Sequence, residues 1–200
     1  FKGEPVKATE AFRKIVALEP KNPRGPYLVG MGLRAQGKSA QAKQEFEAAI
    51  ALAPAYIEPL TQLVDMALLE KRPDAALNRV TKQIGLAPNS GGLQHQLGML
   101  YLARRETRLA EGAFLKAIEL EPRLIGSYLR LGNLYRESGR DNEAIAKFEE
   151  ALKVEPQNIG AQMLVAVVYQ LRGEIAKAQQ GYERILALNP RFAPAANNLA

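Results

Sequence analysis

The chain has 200 residues, a formal net charge of +6 and no cysteine, which excludes disulfides and thiolate metal sites. Its 47% hydrophobic content is ample for a core, yet the longest apolar run, Met163 to Tyr169, has only seven residues. A bilayer span needs roughly 18 such residues, so no membrane-crossing helix is expected. The basic residues are spread along the chain, and the tightest group (Arg104, Arg105, Arg108) sits beside Glu106 and Glu111, so nucleic acid is not expected as a partner.

One spacing orders everything else. Pro20, Pro54, Pro88, Pro122, Pro156 and Pro190 stand 34 residues apart, and each closes the same kind of phrase: ALEP, ALAP, GLAP, ELEP, KVEP, ALNP. A fixed period of this length marks a stacked array in which each unit packs only on its neighbours. The opening stretch, roughly Pro5 to Leu18, predicts a helix that lacks a preceding partner. Within the first full period the pattern predicts helices over Arg24–Gln36 and Ser39–Leu52, separated by Gly37 and Lys38. Glycine suits the left-handed residue that ends a helix, and Gly3, Gly139 and Gly173 stand at the same place, with Lys71 and Arg105 replacing it. Ser39, Thr107 and Asp141 are expected to cap the second helices, Pro73 to start one rigidly, and Ile175 to give no cap. Each ladder proline disfavours helix at and just before itself, which turns the chain back.

Further rungs keep the same register. A small residue recurs in the first helices as Gly30, Gly98, Gly132 and Ala166, with Val64 the exception. Ala8, Ala42, Ala76, Ala110, Ala144 and Ala178 recur in the second helices, followed four residues later by Phe12, Phe46, Phe114, Phe148 and Tyr182, with Val80 the exception. Small residues let two helices approach while rings fill the wedge beside them. The set resembles the tetratricopeptide repeat, a helix–turn–helix unit of 34 residues. The segment IGSYLRLGNLYRESGRDNEAIAKFEEALKVEPQN, with Leu131, Gly132, Tyr135, Ala144, Phe148, Ala151 and Pro156 in order, lies near that family's consensus. The resemblance implies a single all-α, right-handed superhelical solenoid over 1–200. Residues 1–22 form the second helix of a partial repeat, full repeats follow at 23–56, 57–90, 91–124, 125–158 and 159–192, and 193–200 open another.

The second repeat departs most, with Val64, Ala67, Val80 and Gln83 where the family prefers Gly, Tyr, an aromatic and Ala. Gly85 inside its second helix costs roughly 1 kcal/mol relative to Ala. Local packing there is expected to be weaker, although Val64 adds bulk where Val80 removes it.

Catalysis needs convergent groups, and few are available. His95 is the only histidine, so no two-histidine metal site can form, and no glycine-rich phosphate loop follows a strand. Glu149 and Glu150 are adjacent on a helix and face different directions. No catalytic residue, metal or cofactor is expected.

The binding surface follows from helical geometry. In each first helix one stripe faces its own second helix: Pro26, Val29, Gly30 and Leu33, or Tyr128, Leu131, Gly132 and Tyr135. A second stripe, offset at spacings of three and four, cannot serve that contact. It carries Tyr27, Met31 and Arg34; Asp65; His95, Met99 and Leu102; Leu129, Asn133 and Arg136, with Arg130 beside them; and Met163 and Val167. The resemblance implies that these residues line a concave groove receiving a peptide or helix of a partner protein. The Lys/Asn clamp by which some relatives grip a terminal carboxylate is missing, because Tyr27, Met31, Thr61, Asp65, His95 and Met99 occupy the comparable faces. Met-bearing apolar surface suits an adaptable apolar ligand.

The expected function is therefore a non-catalytic protein–protein interaction scaffold. The alternative is a substrate-recruiting arm of a larger enzyme, such as a glycosyltransferase, since FAPAANNLA resembles phrases of long bacterial arrays. Neither end carries a polar capping face, so the natural chain is expected to continue at both ends, with end-to-end self-association of this piece. Compartment is open: cytoplasm, or periplasm if a signal peptide precedes the segment.

Overall fold

A computed structural model describes residues 5–199, and among them the chain forms helices and turns without strands. The helices are α1 (Pro5–Leu18), α2 (Arg24–Ala35), α3 (Ser39–Leu52), α4 (Ile57–Leu69), α5 (Pro73–Leu86) and α6 (Gly91–Ala103), then α7 (Thr107–Leu120), α8 (Ile125–Glu137), α9 (Asp141–Val154), α10 (Ile159–Leu171), α11 (Ile175–Leu188) and α12 (Ala193–Leu199). Each falls within a residue or so of the boundaries that the 34-residue period predicts. Packing divides the chain into two compact units, one ending at Arg104 and the other starting at Arg105, inside the 91–124 interval. Within each unit a helix packs on the one before it and the one after, from α1 to α6 and from α7 to α12. That connectivity is an all-α solenoid of tetratricopeptide-type helix pairs. None of the described helices is long and apolar enough to cross a membrane.

The turns inside the pairs explain why the period is rigid. Gly37, Gly139 and Gly173 take φ of 74°, 72° and 75°, and Lys71 and Arg105 adopt the same left-handed backbone at 57° and 61°. After that residue the chain folds back, so that Lys38 N–H donates to Leu33 O and Arg140 N–H to Tyr135 O, as do their counterparts Arg72 and Glu174. This six-to-one bond occupies a carbonyl that the helix end leaves free. Gly3 lies outside the described residues.

The capping expectation needs correction. Ser39, Thr107 and Asp141 are already the first helical residues, and residues 38, 106 and 140 before them make no side-chain cap. Their backbone, at ψ of 59°, 65° and 58°, has been set by the tight turn. The side-chain caps that do form sit on first helices: Ser90 Oγ accepts from Leu93 N at 3.3 Å, and Asn158 Oδ1 from Ala161 N at 2.9 Å. There the longer loop allows the extended backbone a capping side chain requires.

The core of the first unit joins Val29, Leu33, Phe46, Leu60, Val64, Val80 and Leu93. Gly30 is the hole for Phe46, since a Cβ placed on it would lie 2.6 Å from the ring's Cε1. In the next repeat Val64 and Val80 replace this glycine–aromatic pair, and both are buried at 2% and 0% exposure. Volume removed at one position is returned at the other, so the irregular repeat keeps a filled core. Gln83, also buried, donates from Nε2 to Pro54 O at 2.8 Å, tying α5 to the preceding turn.

The second unit repeats the device once and then varies it. A Cβ on Gly132 would lie 2.7 Å from Phe148 Cδ1. In the last full repeat Ala166 stands where that glycine would be, and Gly181 on α11 gives way: a Cβ on Gly181 would come within 2.8 Å of Ala166 Cβ. The small residue has moved to the facing helix.

Polar staples also link successive pairs. Gln36 reaches back to Thr9 and Pro5, Arg104 to Asp74, and Arg172 to Asn142, all from the end of a first helix to the start of the preceding second helix. At the equivalent position Glu70 pairs with its neighbour Arg72 instead. Such exposed pairs contribute little each. The second helix α5 buries only Ala76, Val80 and Gln83, whereas α9 buries Ala144, Ile145, Phe148 and Ala151. Amide exchange over 77–92 is therefore expected to be faster than over 145–158, with Gly85 exposed inside α5. Hydrogen-exchange mass spectrometry checks this, and equal protection would mean that the smaller buried set of α5 shields its backbone as well as that of α9 does.

Candidate functional site

The two stripes of the first helices meet different fates. On α2 and α8 the residues facing the helix's own partner are buried, namely Pro26, Val29, Gly30 and Leu33, and Tyr128, Leu131, Gly132 and Tyr135, whereas on α6 and α10 the counterparts Leu97, Tyr101, Val165 and Tyr169 are half-buried. The offset stripe stays at the surface in varying degree.

In the first unit, Met31 and Leu68 are each 37% exposed, and Leu69, which the stripe spacing did not select, is 75% exposed. Arg34, Asp65, Leu68 and Leu69 border one depression of about 380 Å³ between α2 and α4. Arg34 is held there by donating to Gln62, a residue the sequence pattern also missed. The helix α3 separates α2 from α4 in the chain, so only the fold brings these side chains to one depression. Tyr27 belongs partly to the core, with its ring 6.1 Å from Phe46 and 5.5 Å, edge-on, from Tyr56. His95, Met99 and Leu102 follow along α6, all half-buried.

In the second unit, Leu129 and Met163 are half-buried and also pack against the buried clusters beneath them, so they serve structure as well as surface. Arg130 is exposed, and Val167 half-buried. Asn133 Nδ2 donates to Leu129 O at 3.0 Å within its own helix, which orients the carboxamide. Arg136 is half-buried, with Nη2 3.9 Å from Glu137 Oε1, while among the described residues no acceptor reaches its buried Nε. Charge along the first helices differs between the units: α2 carries Arg24 and Arg34 and α4 carries Glu58 and Asp65, whereas α8 carries Arg130 and Arg136 and α10 has no charged residue.

A second cluster in the same unit involves groups the sequence did not single out together. Tyr135 donates to Glu111 Oε1 at 2.9 Å, Arg140 pairs with Glu111 at 3.0 Å, and its guanidinium lies 4.0 Å from the centre of the Tyr135 ring. Burial, then the bond to Glu111, pushes the Tyr135 phenol up to about 12. Arg140 also grips Glu143, and this hydrogen bond holds the Glu143 carboxyl below the usual range. The cluster joins α7, α8 and the turn before α9. With an arginine bound to two carboxylates and a phenol kept neutral, it is built for cohesion.

Comparison with known proteins agrees with this architecture. Residues 132–173 match a model described as TPR repeat, and residues 113–146 one described as Tetratricopeptide repeat. Among solved structures the chain is similar to MamA, with 22% identity, a TM-score of 0.66, and 83% of this chain and 97% of that one covered. It is similar to yeast Tom70 at 20% identity and a TM-score of 0.80, covering 97% of this chain and 42% of that one. YrrB, described as a TPR protein with an unusual peptide-binding site, matches at 17% identity with a TM-score of 0.62 over 95% of this chain and 98% of its own. The unbroken proline ladder and the helix pairs agree with these matches: residues 113–173 carry tetratricopeptide repeats, and the chain has the all-α fold of a tetratricopeptide repeat solenoid.

Proposed function

We propose that this protein is a non-catalytic interaction scaffold that receives a segment of a partner protein along the offset stripe of its first helices. The observation that carries the reading is the contrast between stripes in the first unit: on α2 one is buried in the core, while the other leaves Met31 and Leu68 partly in solvent beside Arg34, Asp65 and the neighbouring Leu69. Exposed apolar groups rimmed by charge favour association, because their burial releases water while the charges set register. The peptide-binding description of YrrB, a structural neighbour, points the same way. Met is suited to such a surface because its unbranched chain repacks around different ligands.

The test is affinity capture with the wild-type chain, identification of the bound protein, and titration with its binding segment. Met31→Glu and Leu68→Glu are expected to weaken that binding at least about tenfold, as desolvated anchors do. Helical content and melting should stay unchanged, since neither residue belongs to the buried cluster. Val6→Glu, at a 54% exposed position on α1, is the control and should bind normally. Undiminished binding by both stripe variants would defeat the groove reading.

A further inference from the structure

The last full repeat contains a pocket of about 200 Å³ enclosed by the end of α9 together with α10 and α11. Comparison with the repeat before it shows what is missing. There Tyr128 on α8 is 6% exposed, in a buried cluster against which Ile118 packs, while its hydroxyl donates to Pro122 O at 3.1 Å. Lys147 and Glu150 are close enough to that hydroxyl to act on its ionisation, and they pair with each other at 2.8 Å. Thirty-four residues on, Tyr128 becomes Gln162, Lys147 becomes Gly181 and Glu150 becomes Arg184. All three replacements line the pocket. So do Leu152 and Pro156, the counterparts of Ile118 and Pro122.

The polar half of the old tyrosine's role survives, because Gln162 Nε2 donates to Pro156 O at 2.9 Å. Its ring does not. The carboxamide is much smaller than a phenol, and Gly181 adds no side chain to take up the difference. Gln162 Oε1 is out of contact with solvent, and among the described residues no donor reaches it. Along the wall, Val165, Ala166 and the Tyr169 ring keep the space apolar, and at its border stand Lys177 and Arg184, both exposed. Lys177 sits 5.0 Å from the centre of the Tyr169 ring and is engaged by Glu174, while Arg184 Nε donates to Gln180 O and, among the described residues, its guanidinium pairs with no carboxylate.

We propose that this pocket is a binding site for a tyrosine side chain of a partner polypeptide, one flanked by acidic residues. The ring would take the place that Tyr128 fills in the preceding repeat. Its hydroxyl would donate to Gln162 Oε1 once the carboxamide turns to meet it, since that oxygen is closed to solvent in this structure, and neighbouring carboxylates would meet Arg184. Ring size, one buried acceptor and a cationic border together select a phenol over an aliphatic or purely apolar group. The site is separate from the offset stripe, which on α10 consists of Met163 and Val167, so it stands or falls independently of the groove reading.

The experiment titrates the wild-type chain with 4-methylphenol and with toluene while following amide NMR signals. Saturable shifts centred on Val165, Ala166 and Gly181 are expected with 4-methylphenol. Toluene should bind about fivefold more weakly, the order expected for one lost hydrogen bond. Gln162→Tyr, which rebuilds the filled repeat, should abolish the shifts without lowering the melting temperature; Gln162→Phe, which fills the same space without the hydroxyl, is the second filled variant should the first fold poorly. A tripeptide with tyrosine between two aspartates should bind more tightly than 4-methylphenol, and Arg184→Ala should remove that advantage. No saturable shift with 4-methylphenol would overturn the proposal, as would equal affinity for toluene or unaltered binding in both filled variants. Binding of 4-methylphenol without binding of the tripeptide would also overturn it, by assigning the pocket to a small free phenol.

Discussion

Phe148→Ala is expected to cost about 3–5 kcal/mol, and Gly132→Ala about 1–3 kcal/mol, in denaturant unfolding. The ring is wholly buried, so truncating it removes the transfer energy of a phenyl group and leaves a cavity that Gly132 cannot fill. The glycine substitution runs against intrinsic helix propensity, which favours alanine by about 1 kcal/mol. The clash outweighs that gain because the new methyl would lie 2.7 Å from Cδ1 of a rigid ring with no free space to move into. Gly85 and Gly112 provide the contrast, since a Cβ on either meets nothing within 4 Å. Gly85→Ala and Gly112→Ala are therefore expected to stabilise by up to about 1 kcal/mol. Phe148→Leu should soften the Gly132→Ala penalty, as coupled neighbours do. Strict additivity of those two changes, or one sign for all three glycines, would show that the ring does not fill the glycine's hole.

Tyr135→Phe is expected to lower stability at neutral pH by about 1.5–3 kcal/mol, the range for a buried hydrogen bond to a charged group. It should also flatten the alkaline limb of the stability profile. The folded protein holds the phenol proton with a pKa of about 12, against 10.0 for an ordinary tyrosine. The folded state thus binds this proton more tightly than the unfolded chain, and the resulting stability is complete below pH 10. It disappears as pH rises through about 12. On the acid side the sign reverses. Hydrogen bonds from Arg140 to Glu143 and from Lys177 to Glu174 lower those carboxyl pKa values, so their contribution is present above the normal carboxylate range. It is lost as pH falls through the lowered values. Melting temperatures of wild type and Tyr135→Phe across pH 8 to 12 check the alkaline arm; parallel curves would mean that Tyr135 titrates normally.

Periodicity alone determined the helix pairs, their boundaries and the buried stripe, because a 34-residue repeat must place equivalent side chains in equivalent surroundings. Gly30 with Phe46, and Gly132 with Phe148, could be paired on paper for that reason. The left-handed turn residues were equally legible, even where Lys71 and Arg105 replaced glycine. What sequence could not decide is what happens when two positions change together. Whether Val64 and Val80 compensate, or Gly181 makes room for Ala166, depends on facing helices and on volumes measured across them. The capping residues were misread because Ser39, Thr107 and Asp141 have the right chemistry, while only the turn before them fixes the backbone that a cap requires. The Glu111–Tyr135–Arg140 cluster joins residues up to 29 apart, and the pocket beside Gln162 is an absence of volume. Both are three-dimensional facts: a linear pattern records which side chains are present, but only packing shows which of them meet and where a space is left between them.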